Sequence, residues 1–150
     1  MMMKDYGYYI DLPHPAEKVW AIMQDYDRWT DFDDTVVTGV EVKEKGDENG
    51  NGLIRCVNYK LPLGFRGTSW ETISECVPGV SYTYTSKKGT VGKVRLEKIK
   101  DNTTRLHFQE HMQLNPPFSW FENTLRKFME KSNRRTMKSM GQWLADHPDY

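Results

Sequence analysis

The chain has 150 residues, which suits a single domain with its own hydrophobic core. Charged residues make up 28% of the chain and aromatic residues 13%, and the formal net charge is zero. No stretch approaches the roughly 20 apolar residues that span a bilayer, and residues 1–11 show no signal-peptide pattern. We therefore expect a cytoplasmic protein with one domain over residues 1–150 and no transmembrane segment.

Charge is divided unevenly along the chain. Residues 1–50 carry five Lys or Arg and twelve Asp or Glu, whereas residues 51–150 carry sixteen and nine. These charges are scattered through patterned segments, which predicts two oppositely charged surface regions and no nucleic-acid partner. The two cysteines, Cys56 and Cys76, form no CxxC pair, so neither a disulfide framework nor a zinc site is indicated. We expect no metal or other cofactor.

The first predicted elements are a strand and a helix. Residues 6–12 alternate and are rich in tyrosine, as in a strand. Pro13 ends that strand, and Pro15 suits the first turn of a helix. The apolar face of this helix consists of Val19, Trp20, Ile22, Met23 and Tyr26. The acidic segment 25–34, which contains Trp29 and Phe32, is either a second short helix or a loop, and we expect its carboxylates to be solvated.

Short strands are predicted for the middle of the chain. Alternation places them at residues 35–43, 53–59, 66–75, 80–85, 91–99 and 105–114. Turn signals separate them, among which the glycine-rich segment 46–52 is the strongest. The hairpin-like spacing of these strands predicts an antiparallel sheet.

The last predicted element is a long helix over residues 118–145. Asn115 is a suitable N-cap before Pro116 and Pro117. An apolar stripe at helical spacing consists of Phe118, Phe121, Leu125, Phe128, Met129, Met140 and Trp143. A helix about 42 Å long at ~1.5 Å per residue needs a large partner surface, which a curved sheet offers.

Several segments resemble a known superfamily. Residues 11–20 (DLPHPAEKVW) resemble the opening of START-like proteins of the polyketide cyclase/dehydratase branch, and residues 25–29 resemble the acidic segment that follows it. Residues 50–55 (GNGLIR) resemble the glycine loop that enters the third strand, and Tyr82 and Tyr84 resemble the paired inward tyrosines of the pollen-allergen branch. The order of elements over nearly the whole chain is similar to that of the START/helix-grip (SRPBCC) superfamily.

This resemblance implies an α+β helix-grip fold. In that fold a curved antiparallel sheet of about seven strands wraps around the long C-terminal helix, with one or two short helices after the first strand. It also implies binding or transport of a small hydrophobic ligand, such as a lipid, a polyketide-like aromatic or an isoprenoid, in a cavity of several hundred Å³. A cyclase/dehydratase-like enzyme that uses the same cavity is one alternative, and a protein-interaction module of the chaperone-activator type is another.

The candidate ligand-binding residues of the strands follow from their alternation. Arg55 shares a face with Val57 and Tyr59, so its guanidinium points into the polar end of a pocket or, in another register, reaches solvent at the rim. Glu110 shares a face with Phe108. A desolvated Glu110 is a candidate catalytic acid or base, or else a partner for Arg55.

The remaining candidates lie on two other strands and on the long helix. Tyr82 and Tyr84 are inward by alternation and line either a cavity or an ordinary core. Trp70 is expected to face inward, although the rival register places Glu71 and Ile73 there. On the helix, Phe128, Met129, Ser132 and Thr136 lie on or beside the apolar stripe. The small polar residues among them indicate space beside the helix, or else hydrogen bonds to its backbone.

Overall fold

The computed structural model describes residues 6–33, 35–112 and 114–150, except for the side chain of Tyr6. Within these ranges the chain forms one seven-stranded sheet and three α-helices. The strands are β1 (Tyr6–Leu12), β2 (Val37–Glu44), β3 (Ile54–Lys60), β4 (Arg66–Val77), β5 (Ser81–Ser86), β6 (Val91–Lys100) and β7 (Thr103–His111). The helices are α1 (Ala16–Gln24), α2 (Trp29–Phe32) and α3 (Glu122–Asp146). Short 3₁₀ turns cover Tyr26–Arg28, Pro62–Gly64 and Phe118–Phe121.

The sheet is antiparallel throughout, with the strand order β1-β7-β6-β5-β4-β3-β2. β2 to β7 follow one another as a meander, and β1 completes the sheet beside β7, where Leu12 pairs with Thr104. The curved sheet and α3 form the α+β helix-grip fold that the order of predicted elements indicated. None of the helices in the described ranges combines the length and the apolarity needed to cross a bilayer.

The turn between β2 and β3 shows how the glycine-rich sequence determines local structure. Gly50 and Gly52 adopt φ values of 95° and 85°, in the left-handed region that glycine tolerates best. The Asp47 carboxylate accepts hydrogen bonds from the backbone N–H groups of Asn49 and Asn51, at 2.9 and 3.0 Å. The segment is therefore a closed turn that leads directly into β3.

The hydrophobic core lies between the inner face of the sheet and the helices. α1 buries Val19, Ile22 and Met23, as its predicted apolar face requires, and it packs against β6 and β7. The C-terminal half of α3 buries Met140 and Leu144. Most side chains in the N-terminal half of α3 are partly or fully exposed. The helix is thus anchored mainly at its C-terminal end.

Several predicted boundaries differ from the structure. The strand predicted over residues 105–114 spans Thr103–His111 and so ends three residues early. The helix predicted to start at residue 118 begins as a 3₁₀ turn, and α3 starts only at Glu122, because Phe121 departs from helical geometry with φ −110° and ψ 21°. The Asn115 side chain therefore does not cap α3. β4 also continues past its predicted end to Val77, through an irregularity at Glu75, where φ is 49°.

Candidate functional site

Arg55 is a buried cation on the inner face of the sheet. Only 3% of its surface is exposed. Its Nε donates a hydrogen bond to Oε1 of Glu71, the residue directly opposite on β4, at 2.8 Å. The Ser69 hydroxyl donates to the other Glu71 oxygen at 3.0 Å. Because a buried charge is strongly unfavourable unless it is paired and hydrogen-bonded, Arg55 and Glu71 depend on each other.

Four aromatic rings surround the Arg55 guanidinium and form what we call the aromatic cage. The guanidinium carbon lies 5.4 Å from the ring centre of Tyr26, 5.1 Å from that of Trp29, 5.9 Å from that of Tyr82 and 5.2 Å from that of Tyr84. At such distances a ring attracts a cation through its electron-rich face. Tyr26 and Trp29 follow α1 in the chain, whereas Tyr82 and Tyr84 lie on β5. The cage therefore joins the helical layer to the sheet.

One nitrogen of Arg55 is left without a protein partner. Its Nη1 is buried and makes no hydrogen bond to any of the described residues. Burial acts to lower the pKa of Arg55, but Tyr82 and the Glu71 carboxylate hold it above its usual value, so the guanidinium stays charged. The Arg55–Glu71 pair therefore offers a hydrogen-bond donor without a net charge. Such a donor suits an uncharged oxygen, such as a carbonyl or phenol oxygen, better than a further carboxylate.

A second polar contact lies beside the cage. Tyr84, Gly92 and Glu110 form one row across β5, β6 and β7. The Tyr84 hydroxyl donates a hydrogen bond to Oε1 of Glu110 at 3.0 Å. To reach it, the ring passes over Gly92, where an added Cβ would lie 2.0 Å from Cζ of Tyr84. Gly92 is thus required by the close approach of a ring, as is common for a glycine inside a strand.

Burial changes the acid–base properties of these groups. It raises the pKa of Glu110, while the hydrogen bond from Tyr84 works in the opposite direction. Burial and then the charge of Glu110 raise the pKa of Tyr84 well above its usual value. Burial also raises the pKa of Tyr82 to about 12, against the effect of the Arg55 charge. Both tyrosines are therefore neutral donors near pH 7, and Glu110 retains its proton to a higher pH than an exposed glutamate.

Apolar side chains extend the inner face on both sides of the cage. Val57 and Phe108 are buried, as predicted, and the Phe108 ring stacks on Tyr8 with 5.3 Å between the ring centres. Tyr59 covers Gly67, where an added Cβ would lie 2.4 Å from its hydroxyl oxygen. The polar centre is therefore flanked by hydrocarbon surface.

Three of the four predicted residues of α3 are at least partly buried. Ser132 is buried, and Phe128 and Met129 are half-buried. A helix that fills its interface with the sheet usually buries large apolar side chains there. This pattern is compatible with the predicted space beside the helix, and the binding roles of these residues stay predictions.

The fourth residue, Thr136, belongs to a contact between layers. Its hydroxyl donates a hydrogen bond to Oδ2 of Asp33 at 3.3 Å, and Nε of Arg135 donates to the same oxygen at 2.6 Å. Thr35 also donates to Asp33, from both its N–H and its hydroxyl. Although burial opposes it, the hydrogen bonds from Thr35 and Arg135 lower the pKa of Asp33 to about 2. Thr136 thus holds α3 to the segment after α2.

Two expectations about individual side chains, for Trp70 and Asp33, are wrong, and one of the alternatives for Glu110 is excluded. Trp70 lies on the outer face, 37% exposed, and Lys87 places its Nζ 4.7 Å from the centre of one of its rings. The rival register holds, because Glu71 meets Arg55 on the inner face and Ile73 is buried in the core. Arg55 does not pair with Glu110. The carboxylate of Asp33, expected to be solvated, is only 7% exposed.

Two cavities border the sheet, and their linings include the cage residues Tyr82 and Tyr26, respectively. One of about 540 Å³ lies against the outer face of the sheet, between side chains that include Tyr9, Lys93 and His107. The other, of about 240 Å³, lies between the end of α1 and the β2–β3 turn, next to Tyr26 and Leu53. Neither is lined by α3, so the cavity expected between the sheet and α3 stays a prediction. Within the described ranges, no group of three or more His, Cys, Asp or Glu residues is placed to hold a metal ion.

Sequence reasoning missed half of the cage. The sequence pattern places Tyr26 on the apolar face of the first helix, and Trp29 in an acidic segment that is either a short helix or a loop. Glu71 was only the rival choice for an inward position. One available signal was Gly92, a lone glycine inside a predicted strand, which often marks a close approach by another group.

The curved sheet, the long helix and the buried polar centre define a helix-grip protein. A family model described as "Polyketide cyclase / dehydrase and lipid transport" matches residues 8–143. The chain therefore belongs to that family, in agreement with the resemblance seen in its sequence. A search of curated proteins finds no significant match.

Solved structures share this fold at low sequence identity. A protein of Thermus thermophilus has a TM-score of 0.78 at 14% identity, over 96% of this chain and 99% of that one. A START superfamily protein of Mycobacterium smegmatis has a TM-score of 0.73 at 8% identity, over 95% and 97%. The di-domain ARO/CYC StfQ of the steffimycin biosynthetic pathway has a TM-score of 0.71 at 11% identity, over 97% of this chain and 52% of that one. These similarities establish the fold alone.

Proposed function

We propose that the chain binds a small, mainly apolar molecule between the inner face of the sheet and α3, and that Arg55 anchors an uncharged oxygen atom of it. The buried Nη1 of Arg55 is the observation that carries this proposal. A buried donor without a partner costs about 1–3 kcal/mol. A ligand oxygen that accepts a hydrogen bond from Nη1 removes this cost, so the ligand binds more tightly. A pure hydrocarbon cannot accept the hydrogen bond and lacks this gain.

The surroundings of Arg55 support the apolar part of the proposal. Binding sites for small molecules are mostly hydrophobic, with a few polar groups that determine orientation. Here the polar groups are Arg55, Tyr82 and Tyr84, and apolar surface is available on both layers from Val57, Tyr59, Phe108, Phe128 and Met129. Membership of a family described by cyclase, dehydrase and lipid transport activities is consistent with such a ligand.

Three naphthalene derivatives test the anchor directly. Naphthalene, 2-acetonaphthone and 2-naphthoate share one ring system and differ in carrying no oxygen, a neutral carbonyl or a carboxylate. We expect 2-acetonaphthone to bind about tenfold more tightly than naphthalene, which corresponds to one hydrogen bond of ~1.4 kcal/mol. 2-Naphthoate should not bind more tightly than 2-acetonaphthone, because Glu71 already neutralises the charge of Arg55. Isothermal titration calorimetry measures all three dissociation constants.

The variant for this test must not leave a charge buried alone. Arg55→Met by itself strands Glu71 and should destabilise the protein by about 3–5 kcal/mol, so it is combined with Glu71→Gln. In the double variant the preference for the ketone should vanish while naphthalene still binds. Trp70→Phe, on the outer face, serves as the matched control and should keep the preference. A double variant that still prefers the ketone tenfold would show that Arg55 is not the anchor.

A second candidate function, a cyclase or dehydratase activity, rests on Glu110 and Tyr84. A carboxyl group with a raised pKa that receives a hydrogen bond from the half-buried phenol of Tyr84 can donate or accept a proton during a reaction. Native mass spectrometry of freshly purified protein would identify a bound molecule for a turnover assay. If this function holds, Glu110→Gln should bind that molecule within about tenfold of wild type, ~1.4 kcal/mol, and lose its turnover. Turnover equal to that of wild type would exclude Glu110 as the proton donor or acceptor.

A further inference from the structure

One end of the molecule carries a cluster of exposed apolar side chains, which we call the apolar tip. It is formed by the β3–β4 turn and the 3₁₀ turn before α3, and its members are Leu63, Phe65, Phe118, Trp120 and Phe121. Leu63 is 95% exposed and Trp120 is 75% exposed. The rings of Phe65 and Phe118 meet edge to face with 6.1 Å between their centres, which joins the two segments. The tip is therefore one continuous surface.

The fold does not require an apolar residue at the position of Leu63. Its φ of 66° lies in the left-handed region, which Gly and Asn adopt far more readily than Leu. The next residue, Gly64, is also left-handed, with φ 77°. Leu63 neither packs in the core nor favours the turn, so its presence points to a partner outside the chain.

Three of the connections around the tip carry only basic charges. Residues 60–66, 86–90 and 111–121 contain Lys60, Arg66, Lys87 and Lys88 but no Asp or Glu. A fourth connection at this end leads into β2 and carries Asp33, whose side chain is only 7% exposed and pairs with Arg135. The opposite end differs, since the β2–β3 turn there contains exposed Asp47 and Glu48. The basic residues and the apolar tip thus coincide at one end.

We propose that this end docks on a membrane surface that contains anionic lipid. Leu63, Trp120 and Phe121 would enter the interfacial region, where Trp is favoured, and the four basic residues would contact the headgroups. A second copy of the chain suits the tip less well, because two basic ends would repel one another. This docking surface goes beyond ligand binding and does not depend on the anchor at Arg55.

Flotation with lipid vesicles tests the proposal. At low salt, the wild-type chain should bind vesicles that contain about one third phosphatidylglycerol at least tenfold more tightly than vesicles of phosphatidylcholine alone, and salt should weaken this binding. The pair Leu63→Asn and Trp120→Ser should weaken it at least tenfold. Each of Lys60→Gln and Lys88→Gln should weaken it about fivefold, which corresponds to ~1 kcal/mol per charge near an anionic surface.

Control variants distinguish membrane docking from misfolding and from non-specific hydrophobic binding. Asn suits the left-handed position of Leu63, so the unfolding midpoint of Leu63→Asn should not fall. Val77→Ser with Val80→Ser removes exposed apolar residues from the β4–β5 turn at the opposite end and should leave vesicle binding unchanged. Trp120→Phe should still bind, but the shift of tryptophan emission to shorter wavelength on binding should disappear.

Three results would overturn the proposal. The first is a wild-type chain that does not float with anionic vesicles at low salt. The second is an equal loss of binding in the control at Val77 and Val80. The third is a wild-type dimer in sedimentation equilibrium that the Leu63 and Trp120 variant converts to a monomer, which would make the tip a subunit interface.

Discussion

Gly92→Ala offers a direct test of the row formed by Tyr84, Gly92 and Glu110. The new Cβ would lie 2.0 Å from Cζ of Tyr84 and 2.3 Å from both Cε1 and its hydroxyl oxygen. Ordinary contacts between such atoms begin near 3.4 Å. The ring must therefore move by more than about 1 Å, a displacement that interior packing resists, and the Tyr84–Glu110 hydrogen bond cannot survive it unchanged.

The size of the effect follows from three terms. Crowding in a packed interior costs about 1–3 kcal/mol. Loss of a hydrogen bond to a buried carboxyl group costs about 1.5–3 kcal/mol. Alanine is itself favoured over glycine inside a strand by roughly 0.5–1 kcal/mol. Gly92→Ala should therefore lower the free energy of unfolding by about 3 kcal/mol.

A double-mutant cycle with Tyr84→Val assigns this loss to the ring. Urea denaturation of the four proteins gives the four free energies of unfolding. With valine at position 84 no ring lies over Gly92, so Gly92→Ala should be neutral or stabilise by up to ~1 kcal/mol. If Gly92→Ala costs about 3 kcal/mol in both backgrounds, the close approach of Tyr84 is not the reason for the glycine.

Three further changes test other parts of the structure. Because hydrogen bonds lower the pKa of Asp33 to about 2, its contribution to stability is present above the unfolded pKa and is lost as the pH falls through 2. That shift corresponds to ~2 kcal/mol, which screening of the half-exposed Arg135 reduces to about 1 kcal/mol. Asp33→Asn should thus lose about 1 kcal/mol in urea denaturation near pH 6 and clearly less near pH 2. An equal loss at both pH values would contradict this. Burial raises the pKa of Glu110, so the wild type loses stability as the pH rises through that pKa. Glu110→Gln should therefore be more stable than wild type near pH 8 but not near pH 4, and parallel stability profiles would refute the raised pKa. Trp70→Ala, on the outer face, should change the dissociation constant of 2-acetonaphthone by less than about twofold, ~0.4 kcal/mol, whereas a tenfold loss would place Trp70 in the binding site.

The sequence predicted the sheet and the long helix well because their periodicities are strong. Alternation and the glycine-rich turn located β3 and placed Arg55 on the inner face. The helix stripe located α3 to within a turn at its N-terminal end. These features depend on local patterns, which a single sequence contains in full.

The partners of Arg55 were harder to predict, because they depend on cross-strand register. The alternation of residues 70–73 is compatible with either register. One register places Trp70 and Thr72 on the inner face, and the other places Glu71 and Ile73 there. A shift of one residue exchanges the two faces of a strand. Only the pairing with β3 places Glu71 opposite Arg55. Trp29 was missed for a related reason, since its place above the sheet depends on how the helical layer packs.

The position of β1 at the far edge of the sheet has a consequence for synthesis of the chain. Among the described residues, β2 to β7 pair with strands that are close in sequence, whereas the partner of β1 is β7, roughly a hundred residues away. During translation, the first strand therefore emerges long before its partner exists. Until β7 has left the ribosome, the apolar face of β1 and the edge that pairs with β7 stay uncovered. Completion of the sheet is thus a late event in folding, and this long-range closure favours slow folding in comparison with the local hairpins.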